Sequence, residues 1–358
     1  MFVFYVLLLV PIAVQHFRVG NRRVDYEKKN KLALLLFFVG ITILVGLRHM
    51  TIGIDTRNYA NYFLYCLDKT WADTGSLSNE FGFYYLNKFV SLFTKSYQVF
   101  FVLVSIATFG MIYPTYRRLC KDPCLMIVLF CNMSTFVMAF SGIRQMIAIG
   151  IGFIAYEFTR KKKLIPFILM VLLAMTFHTS AFMLAFMYPL YHVRITRKWL
   201  LVIVPILAVI FAFNQQIFTS LAWILEEYVG YDASITETGA FTMLILFAIF
   251  AVFVFVIPDE TLLDEETIGL RNFLIMAVAL QMFAPLHTIA MRMNYYYIIF
   301  IPLLVPKIIE ARSKTWSQVA IMGRHVMVGF FLVYFFYNAY TGTNNLHVFP
   351  YHFFWEAV

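Results

Sequence analysis

Apolar runs separated by short polar segments recur along the whole chain, at residues 1–15, 32–47, 98–115, 124–140, 145–158, 164–177, 179–191, 199–213, 241–257, 272–289, 295–309 and 326–340. Apolar runs of this kind read as helices that cross a bilayer, although several fall short of the ~20 residues of an ideal span. Tyr, Trp and Phe flank many of them and sit well at headgroup level, so the helices are expected to extend through these residues. The pattern predicts an all-α, polytopic transmembrane protein with about 12 spans (range about 10–14), built as a single integral membrane domain over residues 1–358. Met1–Val14 has no basic region before it and no small-residue cleavage site after it, so it reads as a first span and not as a removable signal peptide.

Two departures from simple spans carry information. Leu164–Tyr191 is bracketed by basic runs yet is too long for one ordinary crossing, and chain parity favours two short helices with a turn near His178 over a single tilted helix. Two nonspanning stretches, 48–97 and 214–240, contain the amphipathic, aromatic-rich segments EFGFYYLNKFVSLF and IFTSLAWILEEYV, which suit helices lying at the membrane interface.

Composition agrees with a lipid-facing surface, since 62% of the residues are hydrophobic and only 13% are charged. The net charge of +9 comes from short basic runs and not from one nucleic-acid-binding stripe, which makes it a topological signal. Arg18, Arg22, Arg23, Lys28, Lys29 and Lys31 place the first loop in the cytoplasm. Taking the spans in order then puts Arg117, Arg118 and Lys121, the run 160–163, the trio Arg194, Arg197 and Lys198, and the segment 307–324 on the same side. The acidic loop IPDETLLDEETIGL falls there too, against the trend. Four cysteines, with no Cys/His cluster of metal spacing, predict neither a structural disulfide nor a metal site, and no cofactor.

Once orientation is assigned, the isolated polar residues gather on the outer side. Arg144 and Arg292 each stand alone beside a long apolar run, and a membrane-edge arginine is costly unless it serves a function or snorkels to headgroup phosphates. Its planar fork of donors matches phosphate oxygens, so Arg144 and Arg292, with Arg48, are candidate diphosphate ligands. His178, in FHTS, is a candidate general base or else a hydrogen-bonded turn residue. Asp55 and Glu80 are alternative bases, with a turn or cap as the plainer role for Asp55. Tyr59, Gln145, Tyr295, Tyr296 and Tyr351 are candidate glycan contacts, against the alternative of an aromatic belt for the tyrosines. No phosphate-binding glycine loop is present, so the chemistry expected is that of an already activated substrate.

Taken in order, TIGIDTRNYANYF, the Glu-x-Gly at Glu80, IRQMIAIGI, FHTSA, the late arginine beside tyrosines and the closing PYHFFWE resemble the EpsG-like family of Wzy-type polysaccharide polymerases over nearly the whole chain. The resemblance implies a GT-C-like membrane architecture in a bacterial cytoplasmic (inner) membrane with its active site outside. It also implies a glycosyltransferase that moves a growing O-antigen, capsule or exopolysaccharide chain from undecaprenyl diphosphate to the nonreducing end of a new lipid-linked repeat unit. The partners implied are those lipid-linked units and the bilayer; a chain-length regulator protein is left open. An O-antigen ligase, a lipid-linked oligosaccharide flippase or transporter, and a membrane acyltransferase are the rival readings. A transporter would place polar groups at the midplane or on both sides.

Overall fold

The computed structural model describes residues 1–16, 23–73, 80–222, 237–342 and 346–357. Arg18, Arg22 and the central part of the second outer stretch, 223–236, therefore lie outside the described residues. Among those described, seventeen α-helices form and no β-sheet does; two isolated backbone bridges are the only extended pairings. Helical segments occupy every apolar run expected from the sequence. Several are broken: 124–140 divides into Pro123–Asn132 and Ser134–Ser141, bent by 63° where Met133 turns extended, and Thr288–Ile298 meets Ile301–Glu310 at 42°, with Pro302 starting the second helix.

Glu27–Gly46, Tyr97–Leu119 and Ser317–Thr341 are each long and apolar enough to cross a membrane, and three bent pairs pass the same test when each is taken as one span. Phe2–Gln15, Leu164–Phe177 and Ala240–Val256 are shorter apolar helices. The solvent these helices expect is evident from what stays uncovered. Leu200–Ala212 is apolar throughout yet buries no residue, and its Leu201 is 82% exposed. Such a surface is stable only against lipid or another apolar partner, and the chain is a helical membrane protein.

The chain forms two compact units, Met1–Ala185 with Arg324–Val358, and Phe186–Gly323. In the first, Ile143–Arg160 packs on Leu164–Phe177 and on Tyr97–Leu119, which in turn packs on Arg23–Gly46. The core is aromatic: Phe4 meets Phe136, Phe140, Phe335, Phe349 and Tyr351 edge-on at centroid distances of 4.7–6.3 Å, a geometry favoured by the ring quadrupole. Asp122 caps Pro123–Asn132 and also pairs with Arg324. The described part of the nonspanning stretch 48–97 forms the helices Thr56–Leu67 and Phe81–Ser91. The latter buries Phe83, Tyr84, Asn87 and Val90 and exposes Phe81, Tyr85 and Phe89, so aromatic side chains lie on both of its faces.

In the second unit, Arg271 is fully buried on Glu265–Gln281 and donates to Glu260 Oε1 at 2.7 Å and to Ile195 O at 2.6 Å, with Phe255 beneath its guanidinium at 4.2 Å. Asp264 caps the same helix and pairs with Lys307 at 3.0 Å; Asp259 caps the short turn at Thr261. The acidic loop that runs against the charge trend is thereby explained, because its carboxylates are spent on cations and helix ends that fold onto them.

Glu260→Ala leaves Arg271 buried with its charge unanswered. We expect a loss of about 2–3 kcal/mol in this unit, read as a lowered thermal unfolding midpoint of the detergent-solubilised protein; an unchanged midpoint contradicts the account.

Candidate active site

The site lies in the first unit and is assembled from the ends of helices. Leu164–Phe177 stops where His178 turns extended, and the following turn, Thr179–Phe186, is a 3-10 helix. The break expected near His178 is therefore present, and it presents the imidazole at a helix end. Glu80 heads Phe81–Ser91. Gly82 explains the Glu-x-Gly spacing: a Cβ there would lie 2.2 Å from Thr176 Oγ1 and 3.0 Å from Thr176 O, so only glycine lets the two helix ends meet this closely.

That approach brings Glu80 onto His178. Glu80 Oε1 accepts from His178 Nδ1 at 2.7 Å and from the backbone N–H of Thr179 at 3.0 Å, with Thr179 Oγ1 at 3.4 Å. Its other oxygen, Oε2, forms an ion pair with Arg144 Nη1. Arg144 begins Ile143–Arg160 just after Gly142, and its guanidinium lies over the Tyr59 ring at 5.8 Å. Glu80 and His178 are 8% and 7% exposed, while Arg144 is only half-buried. Burial pushes the Glu80 carboxyl up, but the hydrogen bond and charge of His178, the charge of Arg144 and the Thr179 N–H together outweigh it and hold the group below its ordinary 4.5. With Nδ1 donating to a carboxylate, a neutral His178 carries its lone pair on Nε2, which has no hydrogen-bond partner among the described residues.

The segment TIGIDT builds the adjoining wall. Gly53 has φ +87°, and a Cβ on it would stand 2.3 Å from Phe140 O, so this loop rests directly on the end of Ser134–Ser141. Thr56 Oγ1 reaches Ile52 O at 2.6 Å and Phe140 O at 3.0 Å, and it receives Arg48 Nε at 3.3 Å. The backbone N–H of Asp55 donates to Ser141 Oγ at 3.3 Å, and the Asp55 side chain makes no hydrogen bond or ion pair with the described residues. Arg48 is 1% exposed. Besides Thr56 it holds Val45 O and faces the Phe101 ring at 4.7 Å, and one of its nitrogens has no partner.

Residues 346–357 close over this wall. His352 O accepts from His49 N at 2.9 Å, Phe354 N donates to Leu47 O at 3.0 Å, and the Tyr351 hydroxyl donates to Leu44 O at 2.8 Å. The PYHFFWE motif thus has a local structural account. Tyr351 faces inward, and Gln145 is also buried.

The structure thus brings Glu80, His178, Arg144 and Tyr59 together, with Asp55 and Arg48 on the adjoining wall. Arg292, Tyr295 and Tyr296 belong to the second unit, on Thr288–Ile298. Both tyrosines are buried, and the neighbouring Asn294 donates to Gln281 Oε1 and Ala277 O at 3.0 Å. Ser141 escaped the sequence reading as a site residue, while Thr56, Thr179 and Gly82 entered it only as neighbours of Asp55 and His178 and as the glycine of the Glu-x-Gly motif.

Because the carboxyl of Glu80 is held low in the folded protein, its tie stabilises at pH above the ordinary carboxylate value of 4.5 and is lost as the pH falls through the lower folded value. The gap in thermal midpoint between wild type and Glu80→Gln is therefore expected to narrow on acidification below 4.5. A gap independent of pH argues against the ionised tie.

Comparison with known proteins adds a family and no individual relative. No curated protein and no solved structure matches. The family model described as the EpsG family matches residues 31–353, a range that includes Glu80, Arg144 and His178 and reaches into the PYHFFWE segment. The protein accordingly belongs to the EpsG family, which is associated with polysaccharide biosynthesis of the polymerase type.

Proposed function

We propose that the protein polymerises a surface polysaccharide. It transfers a growing glycan from undecaprenyl diphosphate to the nonreducing end of a new lipid-linked repeat unit at the outer face of the cytoplasmic membrane, within a fold of about twelve spans. The observation that carries this reading is the single carboxylate, Glu80, that holds a histidine on one oxygen and an arginine on the other. A glycosyl transfer from a lipid diphosphate needs a base at the acceptor hydroxyl and a cation at the departing phosphate, and this arrangement supplies both within one cluster.

In the proposed reaction, His178 Nε2 takes the proton of the acceptor hydroxyl as that oxygen bonds to the donor's anomeric carbon. The bond from that carbon to the diphosphate breaks, and the electron pair leaves on a phosphate oxygen. Arg144 receives the developing charge, and Tyr59 supports its guanidinium from below. Glu80 is a positioning residue: it fixes the imidazole tautomer and the arginine's direction. Asp55, whose charge acts on Arg144, is placed to orient a sugar hydroxyl. Arg48, on the adjoining wall, is assigned as a further diphosphate ligand; Arg292, expected as one from the sequence, lies in the second unit and is given no place in this cluster, and no metal or nucleotide is required.

The test is electrophoresis of the surface glycan in a deletion strain complemented with variants expressed at the wild-type level. Loss of a polymerase leaves single repeat units attached to the acceptor, whereas loss of a ligase leaves nothing attached. Arg144→Ala is expected to cut chain extension by about 100-fold or more, and Arg144→Lys, which keeps the charge without the fork, to fall between it and wild type. A long-chain ladder of normal length in Arg144→Ala sinks the role given to that residue. His178→Ala is expected to lose about 100-fold through the missing base; polymerisation at the wild-type rate removes His178 from the mechanism.

A further inference from the structure

The first unit carries a second concavity that the polymerase reading does not use. It has a volume of about 660 Å³ and lies between the first turns of Arg23–Gly46 and the last turns of Tyr97–Leu119. Its location along the latter helix sets it apart from the site described above. The opposite end of Tyr97–Leu119 carries Gln98, whose amide donates to Gly46 O beside Arg48. Twenty-three residues of helix put the two ends ~34 Å apart, about the thickness of a bilayer core. By the distribution of basic runs, the concavity faces the cytoplasm.

Its lining sets four cations, Lys31, Arg117, Arg118 and Lys121, against one carboxylate, Glu27. Glu27 is held by Lys31 at 2.6 Å, and Arg118 is held from outside the lining by Glu157 at 2.6 Å. Arg117 has no carboxylate partner among the described residues. Arginines in the last turn of a helix complement its carbonyl end. That accounts for the presence of charge at Arg117 and Arg118, but not for a hollow of ligand size around it. The concavity therefore offers cations for an anionic group.

We infer that this concavity binds the headgroup of an anionic glycerophospholipid of the cytoplasmic leaflet, with Arg117 and Lys121 on the phosphate. Phosphatidylglycerol carries such a phosphate, and basic hollows between membrane helices suit anionic lipids. Tyr113 and Pro114, also in the lining, supply apolar surface for the glycerol backbone. The inference is independent of the catalytic proposal, since none of these residues belongs to the Glu80 cluster.

The test is native mass spectrometry of the full-length protein released from detergent after titration with phosphatidylglycerol or phosphatidylcholine. Wild type is expected to retain phosphatidylglycerol in severalfold preference, and Arg117→Ala/Lys121→Ala to lose that preference by about tenfold. Both residues are exposed, so the variant is expected to fold, which its unchanged thermal midpoint would verify. Lys161→Ala/Lys162→Ala, which removes two charges from another basic run, is expected to keep the preference. Equal retention of the two lipids by wild type, undiminished retention in the Arg117/Lys121 variant, equal loss in the Lys161/Lys162 variant, or displacement of the lipid by inorganic phosphate at equal concentration overturns the inference.

Discussion

A carboxylate taken out of water must be met by donors on both oxygens, and meeting Glu80 in this way organises much of the first unit. Its partners come from two segments distant in sequence: the start of Ile143–Arg160, and the break after Leu164–Phe177 with the turn that begins there. Leu164–Phe177 is almost wholly apolar and has little else with which to fix its position, while the far end of Ile143–Arg160 is tied by Glu157 to Arg118. Packing alone tolerates small slides of apolar helices, whereas a buried ion pair with defined geometry does not. The electrostatic demand of one side chain thus sets the register of helices that lipid and aromatic contacts leave loosely determined.

The helices were legible because the solvent is lipid. A run of apolar residues between polar ones has few structural alternatives in a bilayer, and all such runs proved helical. Their breaks were less legible. Met133 carries no signal of a bend, and Pro302 marks one only when the helix on either side is already known. The site was legible in its members, since Glu80, Arg144 and His178 are charged or titratable in apolar surroundings, where such residues are expensive. What joined them was not: 98 positions separate His178 from Glu80, and no local pattern records their contact. Gly82 is the clearest example. Its importance lies entirely in a methyl group that has no room beside Thr176, and a glycine in a short amphipathic helix does not announce the neighbour it accommodates.

The acidic loop of the second unit teaches the converse. Read by composition, IPDETLLDEETIGL conflicts with the basic trend around it, yet its acids are each matched to a cation or to a helix end. Charge counts along a sequence describe what a segment presents to solvent only where its charges remain unpaired. Here folding consumes them, and the buried Arg271 is the counterpart that the count overlooks.

The wall beside the Glu80 cluster has a consequence for how the protein is made. The Tyr351 hydroxyl meets a carbonyl 307 positions earlier, and the strand-like pairing of residues 346–357 with the Leu47–His49 turn is what finally covers Arg48. Membrane insertion proceeds from the first helix onward, so Arg48 must wait at the bilayer edge, hydrated or paired with lipid, while some three hundred residues are threaded past it. Completion of the wall is therefore a late event in biogenesis. A chain stopped short of this segment would be inserted yet lack the surface against which its own second helix ends.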